Sequence, residues 1–145
     1  MGKIREPNKG KKIIGIGSRR IVYDLGNGNV KKVAKTKYGV LSNRREIVTY
    51  RSSAPSVRKH LAKIIESGDE YKWITMIRYN REFPKTKEYH QKLYRLWGKF
   101  RKNGITPYEI LTRQGRPNYQ NMRLKQNGEI VVIDYGNFRF RGKKG

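Results

Sequence analysis

Three short apolar strands, separated by glycine turns, occupy the segment from Ile13 to Thr36 and restrict what this chain can fold into. Gly15 and Gly17 stand at the first turn, and the second turn has the sequence Gly26-Asn27-Gly28-Asn29. Turns of this kind join neighbouring antiparallel strands. The chain is therefore expected to begin with an antiparallel sheet, and a Rossmann-type alternation of strand and helix is disfavoured.

Helices and a second hairpin are predicted after this sheet. The stretch Asn43-Arg44-Arg45-Glu46 is typical of a capping box and predicts a helix that begins at Asn43 and ends near Arg51. Apolar residues at steps of four, three and four predict a long helix over residues 86–103. The other predicted elements are strands at 61–66 and 71–77 and a hairpin of 122–124 with 129–133 about Asn127-Gly128. The order predicts an α+β fold.

The length of 145 residues fits one domain. We expect a basic arm at 1–12, a single domain at 13–136 made of the parts 13–80 and 81–136, and a basic tail at 137–145. The chain has no cysteine, and its N-terminus lacks the apolar core of a signal peptide. A cytoplasmic protein without a membrane span is the expectation.

The net charge of +24 comes from 35 Lys and Arg residues against 11 Asp and Glu residues. Such a charge attracts polyanions, so nucleic acid, an acidic protein and an anionic membrane all qualify as partners. The alternative is a basic surface without a specific partner. Four cations recur along one face of the long helix: Lys92, Arg95, Lys99 and Lys102. They form a candidate polyanion-binding stripe.

The C-terminal stretch Phe138-Arg139-Phe140-Arg141 is both aromatic and basic. Aromatic rings beside cations stack on the bases of single strands. The same rings could instead complete the core.

Several residues could hold phosphates. Gly15 and Gly17 could present backbone N–H groups to anionic oxygens, or they could only permit the turn. Lys35 ends the strand segment Val33-Ala34-Lys35, where it could neutralise phosphate charge or remain a solvated edge residue. Glu46 could hold this lysine in place, or it could belong only to the capping box.

Two oxygen-bearing residues flank the last hairpin. Asn121 lies thirteen residues before Asp134, and Asp134-Tyr135-Gly136 follows the strand Ile130–Ile133. Mg²⁺ prefers oxygen ligands and keeps several waters, so one carboxylate, one amide and phosphates suffice. The structural alternatives are a turn residue at Asn121 and a strand-end cap at Asp134.

In this order the segments resemble the protein-kinase-like family over residues 13–136. The layout is also loosely similar to small bacterial kinase-like proteins of the YrbL type. The matching segments are the glycine loop with its following valine (Gly15–Tyr23), the lysine motif (Val33-Ala34-Lys35), the helix glutamate (Glu46), the strand before the hinge (Trp73–Tyr79), the metal-binding asparagine (Asn121–Leu124) and the Asp-Phe-Gly-like motif (Asp134-Tyr135-Gly136).

The resemblance implies an antiparallel N-lobe-type sheet with one inserted helix, then a much reduced C-lobe of one long helix and a hairpin. It also implies ATP and Mg²⁺ as ligands, with Asn121 and Asp134 on the metal. The residues it assigns to the nucleotide are Gly15, Gly17, Val22, Ala34, Lys35, Glu46, Met76 and Ile77.

Two departures bear on activity. The position of the family's catalytic Asp, five residues before Asn121, is Arg116, which cannot accept a proton. A second alignment makes Glu109 the catalytic carboxylate, with an insertion behind it. Only residues 137–145 follow the Asp134 motif, so the usual docking of a protein substrate is not expected.

Three functional hypotheses follow. The first is a pseudokinase or very weak phosphotransferase that binds a nucleotide with Mg²⁺ and acts through an acidic or nucleic-acid partner. The second is a basic nucleic-acid-binding or inhibitor protein with a vestigial cleft. The third is an active small kinase, for which a phage or mobile-element origin would be suitable.

Overall fold

The computed structural model describes residues 11–141. Residues 1–10 of the predicted arm and 142–145 of the predicted tail lie outside this range. The strands are β1 (Lys12–Ile16), β2 (Arg20–Asp24), β3 (Asn29–Ala34), β4 (Ile64–Ser67), β5 (Trp73–Ile77), β6 (Arg81–Glu82), β7 (Ile105–Thr106), β8 (Met122–Leu124), β9 (Ile130–Val132) and β10 (Arg139–Phe140). The helices are α1 (Lys37–Ser52), α2 (Pro55–Arg58) and α3 (Lys87–Lys102).

Five strands form an antiparallel sheet in the order β1-β2-β3-β5-β4. Two turns connect its first three strands, of which the first contains Gly17 but not Gly15; in the second, Gly26 and Gly28 take positive φ values of 77° and 88°. Because only glycine adopts such values without strain, this turn depends on both residues. The predicted α+β class is confirmed.

Helix α1 lies against this sheet and begins earlier than its sequence predicts. Thr36 is the N-cap, and its side chain accepts from the backbone N–H of Tyr38. Asn43 and Glu46 lie in the middle of the helix with buried side chains. The predicted capping box at these residues is wrong, since both side chains bond to groups outside the helix.

Helix α3 confirms the predicted amphipathic helix within one residue at each end. Leu93, Leu96 and Phe100 are buried on its apolar face. The β8–β9 hairpin is also present, with Gly128 at a positive φ of 86° in its turn.

The β8–β9 hairpin is joined to the first half of the chain by backbone and side-chain hydrogen bonds. The N–H of Ala62 donates to the carbonyl of Val132 over 2.9 Å, and the Tyr135 hydroxyl donates to the carbonyl of Ala62 over 2.8 Å. These contacts fix the strand end at Asp134 relative to the five-stranded sheet.

The aromatic tail completes the core. Phe138 is 1% exposed, and its ring lies 5.4 Å from that of Phe100 and 5.9 Å from that of Tyr135. Strand β10 pairs with β7. The buried ring of Phe138 is therefore not free to stack on bases.

Among residues 11–141, no helix has both the length and the apolar character needed to cross a bilayer.

Candidate functional site

A cleft of about 920 Å³ lies between the five-stranded sheet and the segments around the β8–β9 hairpin. One wall is apolar and comes from sheet strands and the segment before β4. The residues of this wall are Val22, Val30, Ala62, Met76 and Ile77. The opposite wall is polar and includes Glu109, Asn121 and Asp134. The cleft thus offers an apolar surface on one side and polar, hydrogen-bonding side chains on the other, as ligand pockets commonly do.

The first glycine turn borders the cleft. Gly15 and Gly17 both line it, and the backbone N–H of Gly17 donates to the carbonyl of Arg20 over 2.9 Å. Strand β1 shifts register between Ile13 and Gly15, which is a bulge at the edge of the sheet. Gly17 lies in the turn after β1, whereas Gly15, predicted in the same turn, lies within β1 opposite Val22.

Lys32 and Glu46 form the buried ion pair of the site. The Lys32 ammonium lies 3.0 Å from Glu46 Oε2 and donates over 2.8 Å to the carbonyl of Ile133. Glu46 is fully buried and also accepts the backbone N–H of Tyr135 over 2.8 Å. Burial lowers the pKa of Lys32, and the Glu46 carboxylate partly offsets that effect.

The prediction that Glu46 holds Lys35 is wrong. Lys35 follows the end of β3, is exposed, and donates through Nζ to the carbonyl of Gly17 over 3.1 Å. Neither Lys35 nor Ala34 lines the cleft. Side chains alternate along a strand, so Lys32 shares the inward face with Val30, while Lys35 lies beyond the strand in the turn before α1.

Arg20 is the second cation of the site and was not predicted. It is 9% exposed and donates to the Asn43 side chain over 2.9 Å, to Glu46 Oε1, and to Asp134 Oδ1 over 3.0 Å. Burial would lower the pKa of Arg20, but the carboxylates of Glu46 and Asp134 outweigh burial and raise it. The guanidinium therefore joins the carboxylate of α1 to the carboxylate that follows β9.

Asp134 lies at the open side of this network, with its side chain 50% exposed. Its Oδ1 accepts from Arg20 and, at 3.4 Å, from the backbone N–H of Gly136. Partial burial would raise the pKa of Asp134, but the charges of Lys32 and Arg20 lower it below its usual value. The group is accordingly a carboxylate at neutral pH.

Asn121 and Glu109 are neighbours on the polar wall. The Asn121 amide donates to the backbone carbonyl of Glu109 over 2.9 Å, and Glu109 has a positive φ of 72°. Both residues line the cleft, whereas Arg116 is exposed and does not line it. Of the two positions considered for a catalytic carboxylate, the structure therefore brings Glu109 and not Arg116 to the cleft.

The basic stripe of α3 borders a second hollow, of about 350 Å³. Lys92, Arg95 and Lys99 line it together with His60 and the turn of the β8–β9 hairpin, and Lys102 does not. Lys92 pairs with the exposed Glu88 at 3.2 Å. Burial lowers the pKa of His60, and the charges of Lys99 and Lys59 lower it further. The hydrogen bond to the Ile130 carbonyl raises this pKa but does not outweigh those effects. Three cations and one carboxylate, that of Glu129, line this second hollow.

The two missed residues carried weak signals in the sequence. Arg20 occupies the position of the third glycine of the loop, where an arginine has no expected role. Lys32 is one of several lysines near the end of β3, and only the alternation that begins at the buried Val30 distinguishes it. Neither signal identifies its residue as part of the site until the pairing of the strands in the sheet is known.

No protein-family description matches the chain, and no curated protein sequence matches it significantly.

Proposed function

We propose that the protein binds a nucleoside triphosphate, such as ATP, in the cleft of about 920 Å³, as a protein of kinase-like fold. The observation that carries the proposal is the charged network of Lys32, Glu46, Arg20 and Asp134 beneath the glycine turn. Fixed cations at the floor of a partly closed cleft attract phosphates more strongly than cations in bulk water do.

Each part of the ligand has a matching wall. The apolar wall of Val22, Met76 and Ile77 suits a nucleobase. The turn of Gly15 and Gly17 offers close backbone approach to the phosphates. Lys32 contributes mainly its charge, because its ammonium already donates to Glu46 and to the Ile133 carbonyl.

A Mg²⁺ ion would find two protein oxygens beside these phosphates. Within residues 11–141, Asp134 Oδ2 and Asn121 Oδ1 have no hydrogen-bond partner. In this same range, His, Asp and Glu residues form no group of three or more that could hold a metal by themselves. Mg²⁺ typically binds through one or two carboxylates and substrate phosphates, so these residues fit an ion that arrives with the nucleotide.

The proposal concerns binding. Any transfer of phosphate would depend on Glu109, the lining carboxylate that the second alignment with the kinase-like family assigns as catalytic and that has no ion pair among residues 11–141. Arg116 offers no proton acceptor.

A second candidate function is supported by the hollow beside α3. Three cations line it, and such a surface contacts the backbone of a nucleic acid with strong salt dependence. In this case the cleft would be vestigial, and the protein would act by binding DNA, RNA or an acidic protein through Lys92, Arg95 and Lys99.

Backbone amide shifts in ¹H–¹⁵N NMR spectra during an ATP titration separate the two candidates. The nucleotide proposal predicts saturable shifts at Gly15, Gly17, Ile77 and Gly136, with those of Lys92 and Lys99 nearly unchanged. Saturable shifts confined to Lys92, Arg95 and Lys99 would contradict it and favour the second candidate. A titration with single-stranded RNA gives the reciprocal comparison.

A further inference from the structure

Arg20 occupies an unusual place in this cleft. It is the first residue of β2, directly after the glycine turn, and its guanidinium is buried beneath that turn. Its three side-chain partners come from distant parts of the chain: Asn43 and Glu46 from α1, and Asp134 after β9. A cation that is held by three fixed acceptors stays in one position when a ligand arrives.

The charges in this network balance in pairs. Arg20 and Lys32 supply two positive charges, and Glu46 and Asp134 supply two negative charges. A carboxylate at the open side of a phosphate site would repel the ligand unless a cation stood beside it. At Asp134 that cation is already part of the protein.

The side chains that line the cleft include more cations than carboxylates. Its lining contains three carboxylates, from Glu82, Glu109 and Asp134, and five cationic side chains. The cationic residues are Arg19, Arg20, Lys32, Arg78 and Arg123. Arg20 and Lys32 are paired with Glu46, and Arg78 is paired with Asp24, so Arg19 and Arg123 are the lining cations without an ion pair among residues 11–141.

Arg20 retains donors for a ligand. A guanidinium has five N–H groups, and two from Nη1 and one from Nη2 are used by Asn43, Glu46 and Asp134. Among residues 11–141, the Nε–H and the second N–H of Nη2 have no hydrogen-bond partner. Since Arg20 lines the cleft, we expect its remaining N–H groups to be available to a phosphate oxygen.

We propose that Arg20 is a resident cation that takes over, beside Asp134, the charge-neutralising role of a divalent metal, so that the cleft binds nucleotide phosphates without Mg²⁺. The inference rests on the proposed nucleotide function and specifies how that site recognises its ligand. A metal ion would have to bind at Asp134 Oδ2 while Oδ1 accepts from the guanidinium, and the two cations would repel each other. Mg²⁺ can accompany the nucleotide but is not required.

The test is the dissociation constant of ATP, measured by isothermal titration calorimetry once in EDTA and once in excess Mg²⁺. For the wild-type chain we expect the two constants to agree within about threefold, because the resident cations already neutralise Asp134. For Arg20→Gln we expect binding in EDTA to weaken by about tenfold or more, with Mg²⁺ restoring part of the affinity.

Arg19→Gln is the matched control. Arg19 lines the same cleft and loses the same charge on substitution, but its hydrogen bond goes to the Asn137 side chain over 2.9 Å and not to a carboxylate. We expect its ratio of affinities in EDTA and Mg²⁺ to stay close to that of the wild type.

The outcomes separate the inference from the proposed function. Wild-type binding that requires Mg²⁺ overturns the inference and leaves the nucleotide function standing. Absence of ATP binding in both buffers overturns the nucleotide function and the inference with it. An equal loss in Arg19→Gln and Arg20→Gln, with no change in metal dependence, also overturns the inference. If Arg20→Gln does not fold, the wild-type ratio decides alone.

Discussion

At the scale of single residues, Glu46 is the junction of the site. It is fully buried, and its carboxylate accepts from Arg20, from Lys32 and from the backbone N–H of Tyr135. These donors come from β2, from β3 and from the segment after β9. One carboxylate therefore connects the sheet, helix α1 and the strand end that carries Asp134.

Replacing Glu46 with Gln removes the charge that two buried cations share. Breaking a buried ion pair on one side costs about 3–5 kcal/mol, because the remaining charges lose their partner. We expect Glu46→Gln to lower the free energy of unfolding by an amount in this range, as measured by urea denaturation.

Glu66→Gln is the control for this substitution. Glu66 is exposed on β4, and its hydrogen bonds to other residues of the range 11–141 use its backbone atoms. Its substitution should change the stability by less than about 0.5 kcal/mol. A similar small effect at both positions would show that the buried network contributes little.

Some residues of this site could be predicted from the sequence, and others could not. The glycine turn, Asn121, Asp134 and Glu109 were predicted and line one cleft. The lysine was misassigned because the local motif Val33-Ala34-Lys35 matched the expected pattern, whereas the ion pair depends on which face of β3 is buried. Arg20 could not be predicted, because its three partners lie far apart in the sequence.

At the scale of elements, the position of α1 depends on how closely its first turn approaches the sheet. Gly39 is buried there, and a Cβ at this position would overlap the carbonyl oxygen of Arg19 and lie 3.0 Å from Cα and Cβ of Ala34. A glycine in a helix normally destabilises the helix, so this one is explained by packing. The approach brings Glu46, further along α1, to Lys32.

Two glycine-to-alanine substitutions test this packing. Gly98 lies in α3 with open space around its missing Cβ, so Gly98→Ala should stabilise the chain by up to about 1 kcal/mol. Gly39→Ala should destabilise it by about 1–3 kcal/mol, because the steric overlap exceeds the gain in helix propensity. Urea denaturation measures both, and a stabilising Gly39→Ala would contradict the packing of α1.

Sequence patterns predicted some elements better than others. The glycine turns, α3 and the β8–β9 hairpin carry local signals, such as a turn residue or an apolar stripe, and they were predicted correctly. The start of α1 was missed because its buried polar residues, Asn43 and Glu46, have the spacing of a capping box. Those residues are polar for a tertiary reason, the network with Arg20 and Lys32, which no local pattern reveals.

At the scale of the whole molecule, the net charge of +24 complicates any measurement with an anion. ATP will associate weakly with many surface cations, and a variant that loses one cation lowers this background whether or not it lies in a site. A specific claim therefore needs two variants that change the net charge equally and differ only in position. Lys32 and Lys35 provide this pair, since each substitution by Met takes the charge from +24 to +23.

The most direct test of the nucleotide-binding proposal is the ATP affinity of Lys32→Met and Lys35→Met by isothermal titration calorimetry, after circular dichroism has verified that both variants are folded. Lys32 lines the cleft and pairs with Glu46, whereas Lys35 is exposed and bonds to the Gly17 carbonyl. We predict that Lys32→Met weakens ATP binding by about tenfold or more and that Lys35→Met changes it by less than about twofold. Equal affinities in the two folded variants would contradict the proposal.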